Sequence, residues 1–216
     1  MNREIRNIVL LITLFIIGVS NLMAIEKPEY EVIKKYDDFE LRKYQPYLIA
    51  ETEVDGSIED ASNKAFNILF KYISGNNVKN EKIKMTAPVN QRNSERAGEK
   101  IAMTAPVAQT KSMESEGKYR VSFVVPSKYT METVPIPQDS RVNIVEIPGK
   151  LMAVIRYSGR WTESNYRKHE KILLNAISDQ ELEMIGDPVY ARYNPPFWPA
   201  FMRRNEIMIE VKEKDF

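Results

Sequence analysis

The 216-residue chain has no cysteine and a single histidine. Without cysteine there is no disulfide, no lipidated cysteine, no iron–sulfur cluster, no thiolate metal ligand and no thiol nucleophile. One histidine cannot build a multi-histidine metal site. Glycine is scarce, at eight residues, and no GxSxG elbow, HExxH helix, phosphate-binding P-loop or GxGxxG turn occurs. Carboxylates pair by number only, so the chain is expected not to be an enzyme. An excess of either charge is also missing: 31 basic residues face 30 acidic ones. No basic field is available to hold a phosphate backbone, which argues against nucleic acid as a partner.

Long apolar runs are absent but for one. Arg3 and Arg6 precede Ile8 to Val19, and polar Ser20 and Asn21 follow. This is the layout of a secretory signal. The run is shorter than the roughly 20 helical residues needed to cross a bilayer. Residues 1–24 are therefore expected to be a signal peptide ending at small Ala24, although Leu22 is bulkier than a peptidase prefers; an uncleaved anchor through residues 8–19 is the alternative. The expected location is outside the cytoplasm, in the periplasm or envelope if the cell is Gram-negative. Removing the segment takes Arg3, Arg6 and Glu4: 31 less two and 30 less one leave 29 charges of each sign. With 43% apolar and 28% charged residues, residues 25–216 read as one soluble domain that must hold together by packing alone.

Tyr30 to Val54 alternates as short strands broken at Asp37–Asp38 and Pro46, with Leu48, Ala50, Thr52 and Val54 on one face. Ser57 opens a helix in which Ile58, Ala61, Ala65, Ile68, Leu69 and Tyr72 recur at helical spacing, and Gly75-Asn76-Asn77 stops it. Strands are predicted around 83–90, 101–108 and 119–125, then 142–147 and 150–157. A second helix is predicted from about Thr162 to Ile177, carrying Tyr166, His169, Leu173, Ala176 and Ile177 on one face, and strands follow near 189–193 and 206–212. Each half reads as strand, strand, helix, strand, strand. Two helices cannot cover eight or nine strands on both sides, so the expected fold is α+β: a duplicated unit forming a distorted antiparallel β-barrel or twisted sheet with two outer helices.

One short repeat stands out. Ile83-Lys84-Met85-Thr86-Ala87-Pro88-Val89 returns as Ile101-Ala102-Met103-Thr104-Ala105-Pro106-Val107, offset by 18 residues (101 minus 83). Each proline should end or bulge a strand, since it cannot donate to a ladder. Met85 and Met103 either pack plainly or line an apolar cleft, where a flexible thioether adapts to a flat ligand.

The paired MTAPV segments, Ser122-Phe123-Val124-Val125-Pro126-Ser127-Lys128-Tyr129-Thr130 with Glu132-Thr133-Val134-Pro135, Val154-Ile155-Arg156-Tyr157-Ser158-Gly159-Arg160-Trp161 and Tyr190-Ala191-Arg192-Tyr193-Asn194-Pro195-Pro196-Phe197 together closely resemble the SOUL haem-binding family, in order over roughly residues 28–212. The resemblance implies a duplicated barrel-like fold that binds haem or a related tetrapyrrole in a shallow hydrophobic cleft. Some members use an axial histidine early in the domain. Residues 28–54 hold none here, so that mode of ligation is closed.

A porphyrin would need cations for its propionates, and Lys64, Lys71, Arg156 and Arg192 are candidates; the bland reading makes them surface charges with buried stems. Asn194 to Arg204, with Phe197 and Trp198, is aromatic and proline-rich: a cleft wall, a membrane-facing patch or a packed loop. His169 is the sole imidazole on offer to a metal, though a lone histidine at a helix edge is more often a packed or surface residue. The expected function is that of an exported carrier, buffer or scavenger of haem or a related tetrapyrrole held non-covalently, with or without a strong axial ligand. A protein-interaction module with incidental haem binding and an enzyme acting on a small hydrophobic substrate are the alternatives.

Overall fold

The computed structural model describes residues 25–80, 98–112 and 117–212. The proposed signal segment, Met85 and the first MTAPV copy lie outside the described residues. From Tyr30 the chain runs through β1 (Tyr30–Lys35), β2 (Glu40–Tyr44) and β3 (Tyr47–Asp55), with breaks where Asp37–Asp38 and Pro46 interrupt the alternation. Helix α1 (Ile58–Ile73) follows. Gly56 makes the corner with φ +135°, a conformation that costs an L side chain. Ser57 then caps the helix, its hydroxyl accepting from the Asp60 N–H at 3.1 Å.

Past β4 (Asn77–Val78) come β5 (Val107–Lys111), β6 (Lys118–Val124), β7 (Ile136–Pro137), β8 (Asn143–Ile147) and β9 (Lys150–Tyr157). Helix α2 (Glu163–Asp179) is capped by Thr162, and β10 (Glu183–Met184), β11 (Val189–Arg192) and β12 (Asn205–Lys212) complete the chain. The second MTAPV copy departs from the strand expected at 101–108, because ladder pairing begins only at Val107. Pro106 has no N–H to give a ladder. The residues before it are held singly instead: Ile101 N–H donates to Ile73 O at 2.8 Å and Ala105 N–H to Glu26 O at 2.9 Å.

The main sheet is antiparallel and curls into a half-barrel in the order β1-β2-β9-β12-β11-β5-β6-β3-β8, with β10 added beside β12. The expected duplication is visible in this order. At the centre β5 pairs β11, with Ala108 opposite Ala191. Outward from there β6 and β3 mirror β12 and β9. Each half lends one strand to the other, β2 lying against β9 and β8 against β3.

Both helices pack on the same, outer face. Leu69 and Tyr72 of α1 meet Leu48, Ala50, Val121 and Phe123; Tyr166, Leu173 and Ile177 of α2 meet Ala153, Ile155, Ile207 and Ile209. Each such aliphatic side chain contributes about 1.5–3 kcal/mol by leaving water. The inner face of the curl holds a smaller cluster of Tyr44, Met152, Val154, Ala191 and Met208. Beside it Glu206, 0% exposed, accepts from Arg42 Nη1 at 3.1 Å, Arg204 Nη2 at 2.8 Å and the Tyr193 hydroxyl at 2.7 Å. Burial works to lower the Arg42 pKa, but the Glu206 charge and hydrogen bonds to Tyr44 and Glu40 outweigh it and hold the guanidinium charged.

Candidate functional site

Helix α1 turns its buried stripe to the sheet, and a second stripe, Ser62 with Phe66 and Asn63 with Asn67, lies along its flank at the i, i+4 spacing that stacks side chains on one face. Opposite runs the irregular Met103–Val107 segment. The end of β11 and its continuation, Arg192 to Pro196, closes a third side, while Trp161 at the β9–α2 corner and Ile25 complete the wall. These residues enclose an open cavity of about 410 Å³, within the range of small-molecule sites. None of the described residues lining it is acidic.

Among the described residues lining this cavity Arg192 is the one cation, and α2 and β5 hold it directly. Its Nε donates to the Tyr166 hydroxyl of α2 at 2.9 Å, and its Nη2 donates to Gln109 Oε1 of β5 at 3.2 Å. Gln109 is buried; its Oε1 also accepts from the Ser62 hydroxyl of α1, and its Nε2 donates to Ile58 O at 2.9 Å. The Arg192 guanidinium lies 5.0 Å from the Trp161 ring centroid. Burial raises the Tyr166 pKa against the opposing charge of Arg192, so this phenol stays protonated.

The loop after β11 is stiff. Arg203 Nε donates to Trp198 O at 2.8 Å and its Nη2 to Pro196 O at 2.6 Å, with the guanidinium 4.4 Å over Trp161. Gly159 N–H donates to Ala200 O at 2.9 Å. Trp161 itself donates from Nε1 to Asn205 Oδ1 at 2.8 Å. Phe66 is set by edge contact with Phe123, centroids 5.3 Å apart.

The candidates read from the sequence fall in different places. Met103 and Arg192 line this cavity, whereas Phe197 and Trp198, both exposed, do not line it and only follow its Pro195–Pro196 wall in sequence. Lys64 lies apart, its Nζ donating to Asp55 O at 3.2 Å. Arg156 is on the inner face of the sheet, paired across from Glu206, in a groove with Arg42 and Arg204 that also carries Asp37, Asp38 and Glu40. His169 does not line the cavity. Its ring stacks on Tyr157 at 4.0 Å, and its Nδ1 is 2.8 Å from Asn165 O; a carbonyl only accepts, so Nδ1 carries the proton.

Sequence reasoning missed Phe66, Ser62, Gln109 and the cavity role of Trp161. Gln109 left a trace, as a polar residue on the helix-facing side of a strand. Ser62 and Phe66 left only their spacing beside the core stripe.

Two other cavities offer different chemistry. A groove of about 690 Å³ carries Glu26, Glu29, Glu132 and Glu146 against Lys27, a balance of charge that disfavours a dicarboxylate. Inside the curl, a space of about 230 Å³ lies among Tyr44, Tyr47, Met152, Tyr193 and Met208. Among the described residues no group of three or more histidines or carboxylates could hold a metal ion.

Comparison with known proteins agrees with this architecture. The chain is 26% identical over 189 residues to "Heme-binding protein 1" of Xenopus tropicalis, covering 85% of this chain and 91% of that one. It is 26% identical to "Heme-binding protein 2" of Homo sapiens over 179 residues, covering 82% and 79%. Among solved structures, the EcmrR C-terminal domain aligns with a TM-score of 0.54 at 11% identity, covering 86% of this chain and 99% of that one. A hydrolase from Listeria innocua aligns at 0.50 and 10%, covering 83% and 94%. At such identities these two show a shared fold only. The model described as "SOUL heme-binding protein" matches residues 25–97 and 90–210, and the chain belongs to the SOUL haem-binding family.

Proposed function

We propose that this chain is an exported, non-enzymatic binding protein that carries, buffers or scavenges haem or a related tetrapyrrole in the cavity between α1 and the 194–203 loop. The observation that carries the reading is the pairing of an apolar cavity, free of carboxylates among the described residues, with one rigidly held guanidinium. A porphyrin is flat and apolar, with two acids on one edge. Phe66, Met103, Pro195 and Pro196 offer the apolar walls, and the Arg192 donors not used by Tyr166 and Gln109 offer a propionate partner. Membership of the family and the printed names of its relatives support haem as the ligand.

Apolar burial supplies most of the affinity, at roughly 25 cal/mol per Å², and no imidazole is needed. The cavity holds no histidine, and the Tyr193 hydroxyl on its wall is committed to Glu206. When bound, haem would supply its iron and its colour; the chain's residues bind and orient it. Export rests on the basic start and the short apolar run of the first 24 residues.

Titration of the purified protein with ferric haem, followed at the Soret band, tests the reading. Saturable binding at one haem per chain is expected. Absorbance that rises linearly without saturation would overturn it.

A further inference from the structure

The loop that continues from the Pro195–Pro196 wall of the cavity carries apolar side chains that the fold leaves uncovered. Phe197 is 82% exposed and Phe201 78%, with Met202 and Trp198 also exposed. They are not loose: three prolines, a 3₁₀ turn at Ala200–Met202 and the hydrogen bonds from Arg203 and Gly159 hold the backbone that presents them. Four large apolar groups on a fixed loop are a standing cost in water unless something apolar meets them.

We propose that this loop is a membrane-docking tip that seats the cavity mouth against the head-group region of a lipid bilayer. Three observations select lipid over other occupants. First, Phe197 and Phe201 project almost free of neighbours, a shape that inserts into a soft surface; a stable protein interface needs about 800 Å² per partner with good complementarity. Second, the flanking charges are guanidiniums: Arg203 at the loop base and exposed Arg160 beside Gly159, which is bonded to the loop. Trp with Arg is the composition of an interfacial anchor, aromatic below and cationic at the phosphates.

Third, Ile25 lines the same cavity as Pro195 and Pro196. The apolar run ends at Val19, six residues earlier in sequence (25 minus 19), a reach of about 20 Å at most. If that run is retained and seated in a bilayer, the tether leads to this edge of the domain. If it is removed, the loop remains.

The gain for ligand binding rests on the haem reading: a tetrapyrrole dissolved in lipid would enter the cavity without crossing water. The docking itself does not depend on that reading. The absence of cysteine makes a direct test convenient. The full chain with Phe201→Cys, labelled with nitrobenzoxadiazole, is mixed with phosphatidylethanolamine–phosphatidylglycerol vesicles, with and without brominated acyl chains. A second sample carries the label through Asp179→Cys, at the far end of α2, about 25 Å along a 17-residue helix. The label at 201 should shift to the blue and be quenched by bromine, and the label at 179 should do neither. Adding Phe197→Ser and Trp198→Ser should reduce the quenching at 201.

A label at 201 that stays water-like in vesicles would overturn the proposal. So would a blue shift that appears without lipid and grows with protein concentration, the sign of a second copy as occupant. Haem titration of the same samples without lipid keeps the two readings apart. Haem binding without lipid contact refutes docking alone, and lipid contact without haem binding refutes the ligand alone.

Discussion

The hydroxyl of Tyr166 and the guanidinium of Arg192 meet at 2.9 Å, joining the second helix to the end of the central strand of the sheet, where Arg192 lines the cavity. Gln109 extends the link to the first helix through Ser62. The two halves of the duplicated fold are thus tied by polar groups at the point where the ligand would rest, and Arg192 serves stability and binding together.

Arg192→Ala should therefore be felt before any ligand is added. It strips Tyr166 and buried Gln109 of a charged donor, at a cost of about 1–3 kcal/mol. Chemical denaturation of the ligand-free protein measures this. A variant as stable as the parent would show that the network is slack.

His169→Ala should leave the Soret position and the haem affinity unchanged. The imidazole stacks on Tyr157 and is bonded to the Asn165 carbonyl, away from the cavity. A large spectral shift in this variant, with circular dichroism intact, would make His169 an iron ligand.

Lys64→Ala should likewise be silent toward haem, whereas Phe66→Asp, two residues further on the same helix, should weaken binding at least tenfold, or about 1.4 kcal/mol by burying a charge on the apolar wall. Paired titrations separate them. Equal losses would indicate a general effect on α1 and remove the cavity from the account.

Glu206→Ala should be among the most damaging single changes, at about 3 kcal/mol, since it takes the fully buried carboxylate from Arg42, Arg204 and Tyr193 and leaves Arg42 only the partly exposed Glu40. A fall in the denaturation midpoint at constant slope is expected. An unchanged midpoint would mean that Arg42 finds water or another acid.

Acid sensitivity has a surface contribution that can be isolated. Asp139 accepts from Arg141 at 2.9 and 2.6 Å, which holds its pKa down at about 2 against an ordinary 3.8. A depressed carboxylate stabilises the fold above its unfolded pKa, and the contribution is lost as pH falls from about 4 to 2. Asp139→Asn should flatten stability over that window, modestly and less so in high salt, because the pair is exposed. Denaturation series at several pH values would detect it; identical profiles would contradict it.

The legible parts of the fold were those with local period. Leu48, Ala50 and Thr52 alternate and lie in β3, and Ala61, Ala65, Leu69 and Tyr72 recur every three to four residues and form the buried face of α1. The two-residue strands β4, β7 and β10 were invisible, because two residues carry no period. Around Met103 the sequence looked like a strand, yet Pro106 deprives the ladder of a donor and tertiary hydrogen bonds take over. The cavity was half legible. Met103 stands in the MTAPV repeat and Arg192 on a predicted strand, but Phe66 and Trp161 reach the cavity only through the crossing of distant elements, which no local pattern encodes. Arg156, the charge in an apolar run, lies on the inner face, where strand alternation puts it one residue from outward-facing Tyr157.

Those two faces also frame the decisive measurement, a ferric-haem titration of Met103→Asp beside Arg156→Ala, each checked for an intact fold. Met103 lines the outer cavity and Arg156 the inner groove. Met103→Asp should lose at least tenfold in affinity, while Arg156→Ala should bind as the parent does. Haem weakened by Arg156→Ala and indifferent to Met103→Asp would place the ligand on the other side of the sheet and contradict this expectation.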